Sequence, residues 1–316
     1  AYLTANAGVD QGFDVFEFAH VDGHTVTRRA ARWLEEIDEE QQVFLWVHTI
    51  DPHAPYEPAA TYRNRWAPGI PAEVGSVRHV QSLGGQPTEV TAPFVEPYRR
   101  LYDAEVAQND AAFGELIETL KATGRYERAA VVFVSDHGEA FWEQGVNGHG
   151  WDLFEEVLDV PLVIKPPMWP RGGAVRQDLV EHRDIALTLL EMAGVENVGG
   201  FPGRSLFHSE RGADRVVFAE MSYDGREGFA VRRGRYKLIQ PLSHNFLPHE
   251  MLFDLSSDPD ERQNVSERYC ATAAWLAQAG RRSMACLETV EAHHEIVALD
   301  DAERAALEAL GYLDAP

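Results

Sequence analysis

Cysteine is nearly missing from this 316-residue chain, which holds only Cys270 and Cys286. Two thiols exclude a disulfide framework, and their spacing is not that of the close pairs that bind zinc. Neither has nucleophile-like neighbours, so both read as buried structural residues. Long apolar runs are missing too: "VFLWV" (43–47) and "VPLVI" (160–164) are far too short to cross a bilayer. Positive charge is scarce, with 28 Lys and Arg against 51 Asp and Glu and a formal net charge of −23. Such a field repels nucleic acid and anionic membrane, and disfavours polyanionic substrates unless a metal or local cations reverse it. Internal repeats and low-complexity tracts are absent. No signal-peptide pattern stands at Ala1, which fits either processing or a segment lying upstream.

What is present is an ordinary globular composition, 45% apolar, long enough for one large domain and a smaller one. "TVTRRAARWLEEIDEE" places Val26, Ala30, Trp33, Leu34 and Ile37 on one helical face, with Thr25 as the expected N-cap. "VFLWV" reads as a short strand, apolar on both faces as in a covered parallel sheet. Residues 57–98 hold six prolines without a sustained period, and read as a long functional or mobile loop. A long helix is expected over about 97–123, with Val106, Phe113, Leu116, Ile117 and Leu120 facing inward and Gly124 closing it. Strands at 129–134 and 160–164 and a helix at 182–195 complete an alternating α/β pattern. After about Phe207 short strands separated by turns, with "RRGRYK" as a hairpin, indicate a small antiparallel sheet with helix. The expected division is therefore 1–206, the α/β portion, and 207–316, an α+β subdomain.

Chemistry-bearing residues follow two of the strands. His48, Asp51 and His53 come after "VFLWV", and Asp136 and His137 come after "VVFV". Ligands of open α/β sheets bind outside the carboxyl ends of strands, so the two clusters are expected to converge on one crevice. Asp136 and His137, in a turn made by Gly138, could be two ligands of a divalent metal. Equally, Asp136 could cap a following helix with His137 behind it. His149, between two glycines, could meet a bound anion or protonate a leaving group, or simply occupy a flexible turn. Pro52 and Pro55 fix the backbone around His53 and favour a preset imidazole. Asp51, before Pro52, reads as a turn former.

In combination, "FLWVHTIDPHAPY", "YDAEVAQNDAAFGELIETLKATGRYERAAVVFVSDHGE", "GHGWDLFEEVLDVPLVI", "RRGRYKLI", "LFDLSSDPDERQNV" and "LEALGYL" occur in the order found in the sulfatase family. The chain resembles that family, of the alkaline phosphatase superfamily, over almost its whole length. The resemblance implies an alkaline-phosphatase-like α/β sandwich with a mainly parallel central sheet flanked by helices, plus the smaller C-terminal antiparallel sheet. It implies hydrolysis of a small-molecule or glycan sulfate ester, with Asp136 and His137 as metal ligands. His53 and His149 are the implied catalytic and substrate-binding residues. The implied metal is calcium, with manganese, magnesium or zinc as alternatives because His137 stands where asparagine is commoner. The family nucleophile is formylglycine, made from Cys-x-Pro-x-Arg or Ser-x-Pro-x-Arg, and neither motif occurs in these 316 residues. The resemblance therefore implies a missing N-terminal segment or a second chain, and no turnover by this segment alone. A phosphodiesterase or phosphonate monoester hydrolase of the same fold, and a non-catalytic binding domain, are the competing readings. A periplasmic or extracellular location goes with the resemblance only.

Overall fold

Helix α1, Gly23–Glu36, begins where the Asp22 side chain accepts a hydrogen bond from Thr25 N–H. The cap is thus Asp22 and not Thr25, whose hydroxyl instead donates to the same carboxylate at 2.8 Å. Asp is as good a cap as Thr or better, and it stands at the position where the first free N–H groups point. The computed structural model describes residues 8–19, 21–71, 73–76, 92–169, 172–195, 203–207 and 215–288. They fall into two compact units, the first ending at Tyr126 and the second starting at Glu127.

In the first unit α1 and a short helix α2, Ala60–Trp66, pack on the long helix α3, Ala92–Ala122. Part of the stretch read as a loop is therefore helical, while the tract 77–91 lies outside the described residues. The buried face of α3 carries Tyr98, Leu101, Ala104, Glu105, Gln108, Ala112 and Leu116. Val106, expected to point inward, is 42% exposed. The displacement has a cause: Glu105 Oε1 accepts from Glu57 N–H at 2.6 Å, and Gln108 Oε1 from Ala59 N–H at 2.8 Å. Two polar side chains hold the incoming loop, so the face turns towards them. Gly124 closes the helix at φ +68°, and the buried Arg125 donates to the carbonyls of Ile37, Asp38 and Gln41 after α1.

Residues 43–47 form no strand, and Phe44 and Trp46 are 61% and 63% exposed. An apolar segment makes a ladder only where a partner strand meets it, and among the described residues none does.

The second unit contains β1, Val131–Val134, paired with β4, Leu162–Lys165, and a two-residue pair β2, Ala140–Phe141, with β3, Asn147–Gly148. Helix α4, Glu155–Leu158, and helix α5, Arg183–Met192, flank them in sequence. β5 (Val216–Tyr223), β6 (Arg226–Arg233), β7 (Tyr236–Pro241) and β8 (Met251–Asp254) form an antiparallel meander in that order. Helix α6, Cys270–Glu288, lies against β6 and β7. Every ladder among the described residues is antiparallel, so the parallel pairing expected of the central sheet has no pair among them. The α/β sandwich class and the C-terminal antiparallel sheet with helix both stand. Cys270 and Cys286 are both exposed on α6, which corrects the expectation of burial. The helix turns its alanines and Leu276 to the sheet instead.

The meander buries both faces. Phe229, Val231, Leu238 and Leu252 meet Ala273, Leu276 and Ala277 of α6 on one side. Ala230, Ile239, Met221 and Phe253 meet Leu153 and Phe154 on the other. That second core joins residues from both sides of the 206/207 division, which is why β1–β4 and the meander belong to one unit. Gly280 marks the closest approach of α6: a Cβ there would lie 2.2 Å from the Phe229 ring and 2.7 Å from Val231. Gly280→Ala should therefore destabilise this unit by about 1–3 kcal/mol through overpacking, although alanine favours helix by about 1 kcal/mol. Urea unfolding checks it, and an unchanged midpoint would mean that Phe229 moves aside without cost.

Candidate active site

β1 ends at Val134 and the chain turns at Ser135, whose hydroxyl donates to His137 O at 2.7 Å. Gly138 makes the turn possible. Its N–H donates to Val157 O at 2.8 Å, and a Cβ would lie 2.1 Å from Glu156 O. Only glycine tolerates so close a backbone. Asp136 Oδ1 accepts from His137 N–H at 3.0 Å, and β2 rather than a helix follows, so the capping alternative falls away.

His137 Nδ1 lies 2.8 Å from Gly138 O. A carbonyl only accepts, so Nδ1 carries the hydrogen and Nε2 of the neutral ring carries the lone pair. That Nε2 faces Asp136 Oδ2 at 3.8 Å. Two acceptors facing each other across such a gap suit a cation between them, and the imidazole nitrogen suits manganese or zinc at least as well as calcium, which takes oxygen ligands. Among the described residues no group of three or more His, Cys, Asp or Glu is arranged as a metal cage.

His149 stands between Gly148 at φ +87° and Gly150 at φ +79°. Its Nδ1 meets Glu139 Oε1 at 2.9 Å, with the two side chains only 16% and 5% exposed. The His137 and His149 rings stack with centroids 3.9 Å apart and planes at 30°. The structure thus brings Asp136, His137 and His149 together and adds Glu139, which sequence reasoning missed. The signal was present, since "SDHGE" sets a second acid two residues after His137. The Glu139 carboxylate holds the His149 ring through Nδ1.

In the first unit His53 is half-buried, with Nδ1 2.6 Å from Ala54 O. Asp51 is structural, as expected: its carboxylate accepts from Gly23 N–H at 2.8 Å and its carbonyl from Asn109 Nδ2 at 2.7 Å. Beneath this loop Glu105 is buried, and burial first, then the charge of Asp51, pushes its carboxyl up to about 8. The His53 and Glu57 amides both face that carboxyl. The His53 loop belongs to the first unit and the His149 cluster to the second.

The family model described as "Sulfatase" matches residues 6–195, and that of the C-terminal part of N-sulphoglucosamine sulphohydrolase matches residues 148–278. Choline-sulfatase of Rhizobium meliloti is 28% identical over 83% of this chain and 54% of its own length. Arylsulfatase K of Danio rerio is 31% identical over 54% of this chain and 34% of its own length. The chain thus spans about half, or less, of the curated relatives it matches. Among solved structures, BT4656 in complex with its substrate D-glucosamine-2-N,6-O-disulfate superposes with a TM-score of 0.71 at 18% identity. That match covers 89% of this chain and 72% of the other, and at such identity it speaks for the fold alone.

Proposed function

The chain belongs to the sulfatase family, and from that premise we propose that it serves metal-dependent hydrolysis of a sulfate monoester. The ester and water give the free alcohol, sulfate and a proton. The observation that carries the reading is the buried Glu139–His149 pair stacked on His137, beside the Asp136–His137 donor pair.

Sulfatases work with a divalent metal and formylglycine; when bound, the metal supplies positive charge against the sulfuryl oxygens. Asp136 Oδ2 and His137 Nε2 would hold it, with calcium the first choice. Glu139 fixes His149 through Nδ1, and His149 Nε2 would meet the sulfuryl group and deliver a proton to the departing alkoxide oxygen. His53 is assigned to sulfate contact or to assisting the nucleophile, as in the family. No residue of this chain is assigned as nucleophile. The relatives place two alcohol classes in view, a small quaternary ammonium alcohol and a sugar ring.

The test is hydrolysis of 4-nitrophenyl sulfate by the protein that carries this chain. His149→Ala should lower kcat/KM about a hundredfold, in the usual range for a general acid. Unchanged kcat/KM in that variant, or a higher value on 4-nitrophenyl phosphate than on the sulfate, would overturn the reading.

A further inference from the structure

Beside His149 lies a cluster that the reaction does not use. Trp151 and Tyr223 meet edge to face with centroids 5.3 Å apart, and the Arg226 guanidinium sits over the Trp151 ring at 4.6 Å. Both aromatic rings are half-buried. Tyr223 and Arg226 are the last cross-strand pair of the β5–β6 hairpin. Asp224 and Gly225 join them at φ +49° and +70°, the geometry of a tight two-residue turn matched to strand twist. Arg226 is held further by Asp224 at 3.2 Å. The tip is thus built rigid and presents its two side chains in fixed positions.

The glycines that flank His149 touch this cluster. At Gly148 a Cβ would lie 3.8 Å from Trp151 Nε1 and 3.9 Å from Glu139 Oε1, the oxygen that holds His149. At Gly150 it would lie 3.8 Å from the Tyr223 ring. Trp151 is therefore a wall two residues on from the imidazole that would face the ester oxygen.

We infer that Trp151, Tyr223 and Arg226 form the subsite for the alcohol part of the ester, and that they select a ring-bearing alcohol, pyranose or aryl, over a quaternary ammonium alcohol. The inference deepens the proposed function and rests on it. A ring face stacks on an indole, and a guanidinium beside it offers donors to hydroxyl or anionic substituents. A quaternary ammonium group needs the electron-rich face of an aromatic ring for itself. Here the Arg226 guanidinium, 4.6 Å over the Trp151 ring, repels a cation but not a neutral ring.

Titration calorimetry on the protein that carries this chain tests it, with glucosamine 6-sulfate, 4-nitrophenyl sulfate, choline sulfate and inorganic sulfate as probes. At least one ring ester should bind about tenfold or more tightly than choline sulfate, as one stacking contact supplies. Which of the two binds more tightly identifies the ring as sugar or aryl. Trp151→Ala should remove the preference while leaving inorganic sulfate unchanged. Arg226→Gln, at the surface of the hairpin, should tighten choline sulfate several-fold, about the worth of a cation–π contact regained; if Trp151→Ala does not fold, this variant decides alone. Choline sulfate binding as tightly as both ring esters, or no gain for choline sulfate in Arg226→Gln, overturns the inference. So does a Trp151→Ala loss that is equal for inorganic sulfate. His149→Ala should weaken all four probes. If it leaves inorganic sulfate untouched, the sulfate-site reading fails, independently of the ring preference read from the other two variants.

Discussion

Replacing Lys237 by methionine is expected to destabilise the second unit by about 3–5 kcal/mol, the range for removing one partner of a buried ion pair. Lys237 lies on β7, 1% exposed, and its Nζ is 2.9 Å from both Glu155 Oε1 and Glu261 Oε1. Arg232 takes the other oxygen of Glu155 at 2.6 Å. Glu261 in turn accepts from Glu155 N–H at 2.6 Å, which ties the start of α4 to the loop after β8. Around them stand Glu143, Asp152 and Glu156. Burial first, then the neighbouring acids, raises Glu156 to about 7; burial likewise raises Asp152 to about 6 against the pull of Lys237. Methionine matches the stem of lysine but removes the only buried cation among these acids, so the carboxylates that remain repel in a poorly solvated place.

The loss has a pH signature. Both Asp152 and Glu156 have raised folded values, so the folded state holds their protons longer than the unfolded state does. Below about pH 5 Asp152 and Glu156 are neutral, so their share of the loss should vanish, while the share from Glu155 and Glu261, each 2.9 Å from Lys237, remains. Between pH 6 and 8 the difference should open fully. Urea unfolding at pH 5 and pH 7.5 measures this, and an equal loss at both values would show that the charge of Lys237 does not act on Asp152 and Glu156.

The second large effect belongs to Glu105. Its ordinary value of 4.5 is raised to about 8, so the parent protein loses stability as pH rises from about 4.5 and continues to lose it up to about 8. The full window corresponds to as much as ~5 kcal/mol at about 1.4 kcal/mol per pH unit. Glu105→Gln keeps the Oε1 acceptor for the Glu57 amide and cannot ionise. At pH 5 the two proteins should therefore differ little. At pH 8.5 the glutamine form should be the more stable, with the slope between them gone. If the parent shows no decline in stability between pH 5 and 8, Glu105 is ionised in the folded protein and the burial argument is wrong.

The sequence made some of these residues visible and concealed others for identifiable reasons. Helices α1, α3 and α5 and the β6–β7 hairpin were legible because amphipathic period, a closing glycine and a turn signal are local properties. The inward face of α3 was not, because Glu105 and Gln108 are chosen by loop amides some fifty positions away in sequence. The segment 43–47 looked like a strand because apolarity on both faces is what a covered strand needs, yet pairing is decided by a neighbour and not by the segment. Asp136, His137 and His149 could be named from motif order, since their turns are written in glycines. Glu139 could not be separated from an ordinary surface acid until its 5% exposure and its bond to His149 were seen. Trp151 and Tyr223 are 72 positions apart and no motif joins them.

The glycine at 138 also has a mechanical consequence. Because its amide is fastened to Val157 and its Cα rests on the Glu156 carbonyl, the turn that carries Asp136 and His137 and the helix that carries Glu155 move as one body. Lys237 grips that same helix from the far side. One short helix thus links the buried ion pair to the turn of the paired imidazoles.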